Sequence, residues 1–327
     1  MNNFKKIGLT ALAASLVSVS AQAGEMSVAG SASLNVEGFS GEELNGGKGY
    51  TMANQLTFTG SGELDNGLTV SLSFVQDNGE STFDSHSLTI ASDTMGTLKF
   101  MGEGGTTAAS AVDGSAAGDI WDKFDALSNV THPATANLSS TNDSLTATAG
   151  DNSFLYTSPE LMEGLTLTGS YKPQAGSSET RASGTGLGIN YTGIEGLTLA
   201  FAKADVVNTT KALSGDETVM EASYAYGPVT VSYSKWESDI DTASTGMELT
   251  SVALSYTVSD ELSLTYGMEE ADSEHSSTDA EYETLSLSYV TGGMTISAGM
   301  HEAENAAFDT GSHSDIEKWT LGASFAF

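Results

Sequence analysis

Short runs of alternating apolar and polar residues fill the chain from about residue 26 onward. In the first run Val28, Gly30, Ala32, Leu34 and Val36 share one face, and Ser27, Ser31, Ser33, Asn35 and Glu37 share the other. A period of two marks a strand with one greasy face. The apolar face continues through Met52, Leu56 and Phe58, then Leu68, Val70, Leu72 and Phe74, then Leu88 and Ile90, then Leu98 and Phe100. After residues 103–150 it resumes at Phe154 and Tyr156, at Leu165, Leu167 and Tyr171, at Leu187, Ile189 and Tyr191, and at Leu197, Leu199 and Phe201. Later runs carry Met220, Ala222, Tyr224 and Tyr226; Val229, Val231 and Tyr233; Leu262, Leu264 and Tyr266; Leu285, Leu287 and Tyr289; Met294 and Ile296. One run slips by a residue between Met247/Leu249 and Val252/Leu254/Tyr256, which reads as a β-bulge near residues 250–251. Trp319, Leu321, Ala323, Phe325 and Phe327 complete a predicted set of sixteen strands.

The connections alternate in length. Short turns at 65–67, 93–96, 158–164, 192–196, 227–228, 259–261 and 291–293 alternate with longer, acidic, Gly/Ser-rich loops, of which 103–150 is the longest. Asp65-Asn66-Gly67 suits a tight hairpin. Short turns at one end and long loops at the other predict an all-β, 16-stranded antiparallel transmembrane barrel. Aromatic residues agree. One set of strand ends carries Tyr156, Tyr191, Tyr226, Tyr256, Tyr289 and Phe327, the other Phe74, Phe100, Tyr171, Phe201, Tyr233 and Tyr266. Amphipathic rings prefer the two membrane interfaces. Lys99, Glu221 and Glu248 take the inward parity, while Glu283 and Glu317 face outward at external strand ends. A chain ending on an aromatic strand also suits a closed barrel, which has no free edge to aggregate. This ending resembles the C-terminal targeting strand of bacterial outer-membrane barrels.

Composition narrows the function. Residues 1–23 read as a signal peptide: Lys5 and Lys6, an apolar stretch, then Ala21-Gln22-Ala23, so that a single barrel domain would span 24–327. No later apolar run is long enough for a helical span. Cysteine is absent, so there is no disulfide framework and no thiol chemistry. Net charge is −32 and Arg181 is the one arginine, which argues against a nucleic-acid partner. The histidines His86, His132, His275, His301 and His313 are isolated and sit in no nucleophile motif, so no enzyme is expected.

Sixteen strands enclose an aqueous lumen unless something fills it. The long segment 103–150 holds Asp119-Ile120-Trp121-Asp122-Lys123-Phe124-Asp125, where a short helical turn would put Trp121 and Phe124 against the wall and Asp119 and Asp122 in water. It reads either as a constriction or as an external loop. The stretch Asn152-Ser-Phe-Leu-Tyr156-Thr-Ser158-Pro159, closing on Gly164-Leu165, resembles the strand 6 to strand 7 motif of the general trimeric porins of Gram-negative bacteria. Gly96-Thr-Leu98-Lys-Phe-Met-Gly102 and Asp65-Asn-Gly67-Leu68 are similar to two further porin stretches. The resemblance implies a third external loop folded into the barrel, a homotrimer in outer-membrane lipid, and passage of small polar solutes and ions. Two departures stand out. Leu155 occupies a position usually basic in the family, and Glu103 another.

The expectation is a passive outer-membrane diffusion channel that prefers cations, because acidic rings favour them. Its lining residues would be Glu103, Asp119, Asp122 and Asp125, with Lys99 and Lys123 as counter-charges and Leu155 on the facing wall. A non-conducting structural or adhesive barrel is the alternative. No cofactor is implied. Asp239/Asp241 and Asp272/Glu274 offer oxygen ligands for weakly bound Ca²⁺, without a calcium-loop motif. Gly30 and Ala32 leave a small outer face that suits either subunit packing or a barrel corner.

Overall fold

A computed structural model describes residues 26–41, 47–77, 84–124, 152–173, 182–208, 214–241, 246–274, 276–308, 310 and 314–327. The expected leader, Asp125, His132, His275 and His313 lie outside the described residues. The sixteen strands are β1 (Met26–Gly41), β2 (Lys48–Glu63), β3 (Thr69–Asp77), β4 (Ser85–Ser92), β5 (Gly96–Glu103), β6 (Ser153–Thr157), β7 (Leu165–Lys172), β8 (Ala182–Ile194), β9 (Leu197–Asn208), β10 (Gly215–Tyr226), β11 (Val229–Ile240), β12 (Met247–Thr257), β13 (Leu262–Ser273), β14 (Ala280–Thr291), β15 (Met294–Glu304) and β16 (Ile316–Ala326). Each pairs antiparallel with its neighbours in sequence, and β1 pairs with β16 to close the barrel. Closure satisfies every strand's backbone donors and acceptors within the wall, which is what hydrocarbon demands.

One parity of each strand carries the exposed apolar side chains, among them Val28, Met52, Leu72, Leu167, Leu254, Leu285 and Leu321. This is the lipid-facing surface, flanked by the exposed Tyr156, Tyr226, Tyr256 and Tyr289 at one end and Phe100, Tyr171, Phe201 and Tyr266 at the other. The bulge expected near residues 250–251 is absent. Pairing of β12 with β11 and with β13 runs unbroken from Met247 onward. Leu249 is instead buried on the inward face, and Glu248 faces outward, 2.9 Å from Lys235 Nζ. Leu249 is apolar because protein, not lipid, covers it. Register shifts occur at His86/Ser87 and at Tyr191/Ile194.

The β1–β16 seam has an aromatic fit. Gly30 and Phe327 exchange both backbone hydrogen bonds, at 2.7 and 2.9 Å. A Cβ on Gly30 would lie 2.3 Å from the Phe327 ring, and one on Gly38 would lie 2.5 Å from the Trp319 indole. The small outer face of β1 is therefore the seat of two rings from β16.

The short turns interlock as well. Gly164 has φ +75°, and a Cβ there would lie 2.0 Å from the Gly193 backbone nitrogen. Gly67 has a similar φ of +79° but open space around it. Gly67→Ala should therefore cost only the left-handed strain of about 1–2 kcal/mol. Gly164→Ala should cost clearly more, since backbone must move. Unfolding of the two variants in detergent, followed by heat-modifiable gel mobility, checks the order; equal losses would contradict it.

Candidate pore constriction

Residues 104–124 leave β5 and run along the barrel's inward parity. The path begins at β8, where Gly184, Gly186 and Gly188 alternate on the inner face. A Cβ on Gly186 would sit 3.2 Å from the Ala108 Cβ, so these glycines leave a slot for the passing chain. The Ala108 amide donates to Ser170 Oγ of β7 at 2.9 Å. Further on, the amides of Ala116 and Ala117 donate to Ser234 Oγ at 2.7 Å and Ser251 Oγ at 2.8 Å. Ser115 Oγ and the Trp121 amide, the latter at 3.0 Å, donate to the Glu269 carboxylate of β13. Residues Trp121–Phe124 form one 3-10 turn. The Lys123 carbonyl then accepts from Lys318 Nζ of β16 at 2.9 Å. All five wall partners alternate with lipid-facing residues such as Tyr171, Tyr233, Val252, Met268 and Trp319. The segment is thus a strap laid against the inside of the wall from β7 to β16.

An apolar patch seats the strap. Val219, Trp236, Leu249, Tyr282 and Ile316 point inward and pack with Ile120 and Phe124 of the strap. Phe124 and Tyr282 have ring centroids 5.9 Å apart. Trp236 Nε1 donates to Glu217 at 2.7 Å, so the buried indole keeps a polar partner.

Charge is distributed unevenly. Asp113, Asp119 and Asp122 are exposed on the strap. Glu221 of β10 faces inward, hydrogen-bonds the Asp113 amide and feels the Asp113 carboxylate. Partial desolvation raises the Asp119 pKa above its ordinary value, and repulsion from Asp113 and Asp122 adds to this; Lys123 and a hydrogen bond from Ser115 oppose it. The Lys123 ammonium donates to the carbonyls of Gly118 and Asp119 at 3.2 and 3.3 Å. Lys318 is paired with Glu37 of β1 at 3.0 Å and lies 4.8 Å from the Phe39 ring centroid.

The sequence-predicted residues fall as follows. Asp119, Asp122 and Lys123 lie together on the strap. Lys99 and Leu155 are register partners on the inward parity of β5 and β6. Glu103 follows a register shift and pairs with His86, its carboxylate 4.0 Å from Nδ1, where His86 stacks on lipid-side Phe74. Sequence reasoning missed Asp113, Glu37, Lys318 and Glu269. The last could have been found from parity, since Tyr266 and Met268 face lipid and put Glu269 inside. His301 is buried on β15, with Nδ1 2.7 Å from Thr284 Oγ1 and Nε2 3.1 Å from Thr320 Oγ1. Among the described residues no group of three or more His, Asp or Glu is gathered to hold a metal ion.

A closed sixteen-stranded barrel with a lipid-facing apolar band and a strap inside it is a transmembrane channel architecture. The sequence matches the family described as Gram-negative porin over residues 8–327. The chain belongs to that family, and so to the diffusion channels of the outer membrane. Comparison with curated protein sequences gives no match. Solved structures are similar in fold. The anion-selective porin from Comamonas acidovorans superposes with TM-score 0.68 at 13% identity, covering 94% of this chain and 100% of that one. OmpF of Salmonella typhi, in a complex with daunomycin, gives 0.66 at 12% identity, covering 93% and 98%. OmpT of Vibrio cholerae gives 0.64 at 13% identity, covering 93% and 98%. At these identities the likeness is one of fold.

Proposed function

We propose that this porin is a cation-selective diffusion channel for small hydrophilic solutes, working as a homotrimer after removal of residues 1–23. The constriction is the strap and the wall facing it. Asp113, Asp119 and Asp122 with Glu221 supply its negative charge; Lys99, Lys123 and Leu155 complete the lining. The observation that carries this reading is the imbalance of charge. Four carboxylates gather on and beside the strap, while Lys123 is turned onto strap carbonyls and Lys318 onto Glu37. Carboxylates in a narrow aqueous passage attract cations and repel anions. The anion selectivity in the name of the Comamonas acidovorans porin is a property of that protein, at 13% identity.

Reversal potentials across planar bilayers in a salt gradient test the proposal. A cation-selective sign supports it, an anion-selective sign overturns it, and absence of conductance favours a structural barrel. The preference should also weaken as pH falls, because protonated carboxylates no longer attract cations. Asp119 has a raised pKa and so takes up its proton at a higher pH than an ordinary aspartate does. On acidification its contribution is lost at a higher pH than that of an ordinary aspartate. Asp119→Asn should weaken the cation preference and remove the part of its pH dependence that Asp119 carries, and an unchanged curve would refute the assignment.

A further inference from the structure

We propose that the 3-10 turn Ala306–Phe308 is a second inward-folded piece of the passage: anchored by the Phe308 ring, it lies on the inner wall to the external side of the strap and limits the size of neutral solute that can enter. The turn follows β15 directly and packs against β14. Ala306 is 1% exposed and Phe308 8%. Both belong to a buried cluster with Ala280 and Tyr282 of β14, Ala303 of β15 and Ile316 of β16. Those four take the parity opposite to the lipid-facing Leu285, Met300 and Trp319, so the cluster is on the lumen side of the wall. Ile120 and Phe124 of the strap belong to it too. Two separate stretches of chain therefore meet over one apolar seat. The strap reaches Tyr282 through Phe124, whereas Asn305, where the turn begins, is tied to the Asp279 carbonyl just before β14. The turn thus sits nearer the external end than the strap does.

The backbone shows what holds the turn inward. Asn305 has φ +51° and Phe308 has φ +64°. Asparagine tolerates the left-handed region, but a phenylalanine is strained there and persists only where its surroundings hold it. Hydrogen bonds fix the base of the turn. The Asn305 amide donates to Asp315 Oδ1 at 3.2 Å, its Nδ2 donates to the Asp279 carbonyl at 3.3 Å, and the Ala306 amide donates to the Ser314 carbonyl at 3.0 Å. At the far end the Phe308 amide only closes the turn onto the Asn305 carbonyl, at 2.8 Å. The ring is what enters the seat, and burial of an aromatic ring is large enough to offset the strained backbone. Ala306-Ala307-Phe308 carries no charge, so the turn takes up cross-section without selecting by sign.

The experiment uses the full chain in planar bilayers and in liposomes. Phe308→Ala should leave the heat-modifiable folded band in place, raise single-channel conductance and speed the entry of disaccharides relative to monosaccharides in swelling assays. Phe308→Leu, which keeps an apolar side chain in the seat, should restore most of the parent behaviour. Phe308→Gly separates ring from backbone. Glycine takes a left-handed φ without strain, so a turn held by its backbone would stay in place in this variant. The ring-anchored turn should instead widen the passage as Phe308→Ala does. Asn305→Gly, which loses the bond to the Asp279 carbonyl, should shift sugar entry in the same direction and serves if the Phe308 variants do not fold. Parent-like sugar discrimination in the folded variants would overturn the proposal, even with a lower melting midpoint, because a merely structural role would give that result. So would a Phe308→Gly variant that matches the parent while Phe308→Ala does not. Asp119→Asn should keep its effect on selectivity in the Phe308→Ala background; loss of that effect would show that the ring acts through the strap and would overturn the assignment of width to the turn. The inference rests on the barrel conducting, and a parent chain that passes neither ions nor sugars would overturn both readings. The sign of the reversal potential bears on cation preference alone.

Discussion

Replacing Lys318 by methionine is expected to destabilise the barrel by on the order of 3 kcal/mol. The ammonium has a side chain only 9% exposed and is shared by Glu37 of β1, the Lys123 carbonyl and the Phe39 ring. Removing one member of a buried pair strands the other charge, which costs roughly 3–5 kcal/mol when both are fully enclosed. Glu37 keeps 24% exposure, which puts the estimate at the lower end. The outward pair Lys203–Asp216 has side chains 56% and 48% exposed, and breaking it should change little. A double-mutant cycle with Glu37→Gln, read by urea unfolding in detergent, isolates the coupling. Additive losses from the two single variants would show that the pair does not hold the seam.

Bulk placed beneath the seam aromatics is the second large effect. Gly30→Val should push Phe327 off β1, and Gly38→Val should do the same to Trp319, because each new Cβ would occupy space the ring holds now. Overpacking of this kind costs about 1–3 kcal/mol per site. The two glycines are eight residues apart on β1, roughly 26 Å at a strand's rise, so the costs should add. The double variant should show a markedly lower midpoint of thermal conversion from folded to unfolded gel mobility. Gly49→Val, on β2 with nothing within 4 Å of its Cβ position, is the control that should stay near the parent. A double variant that melts with the control would remove the ring seats from the account of closure.

The wall was largely legible in the sequence, because a barrel wall is period-2 logic repeated. Strand count, parity, the two aromatic ends and the alternation of short and long connections all follow from which residues touch lipid. The interior was less legible for the same reason. Leu249 reads as lipid-facing from the pattern, yet it is apolar, like Val219, Trp236, Tyr282 and Ile316, because the strap lies over it. Leu249 then looked like a slip in register when it was a change of neighbour. Lys99, Leu155 and Glu221 could be placed inward from parity alone. Their partners could not, since pairing Asp113 with Glu221, or Lys318 with Glu37 and Lys123, requires the path of a segment that has no period. Glu103 shows the opposite failure: its sequence position was clear, but a register shift beside Gly102 set it against His86.

A ring of hydrogen-bonded strands resists stretching around its circumference but yields easily when squeezed across its diameter. The strap from β7 to β16 joins separated points of that ring through Ser170, Ser234, Ser251, Glu269 and Lys318. It is a cross-brace as much as a filter. Lateral pressure from lipid or from a neighbouring subunit would load these contacts before it flattened the opening. The same row that narrows the passage should keep its outline round.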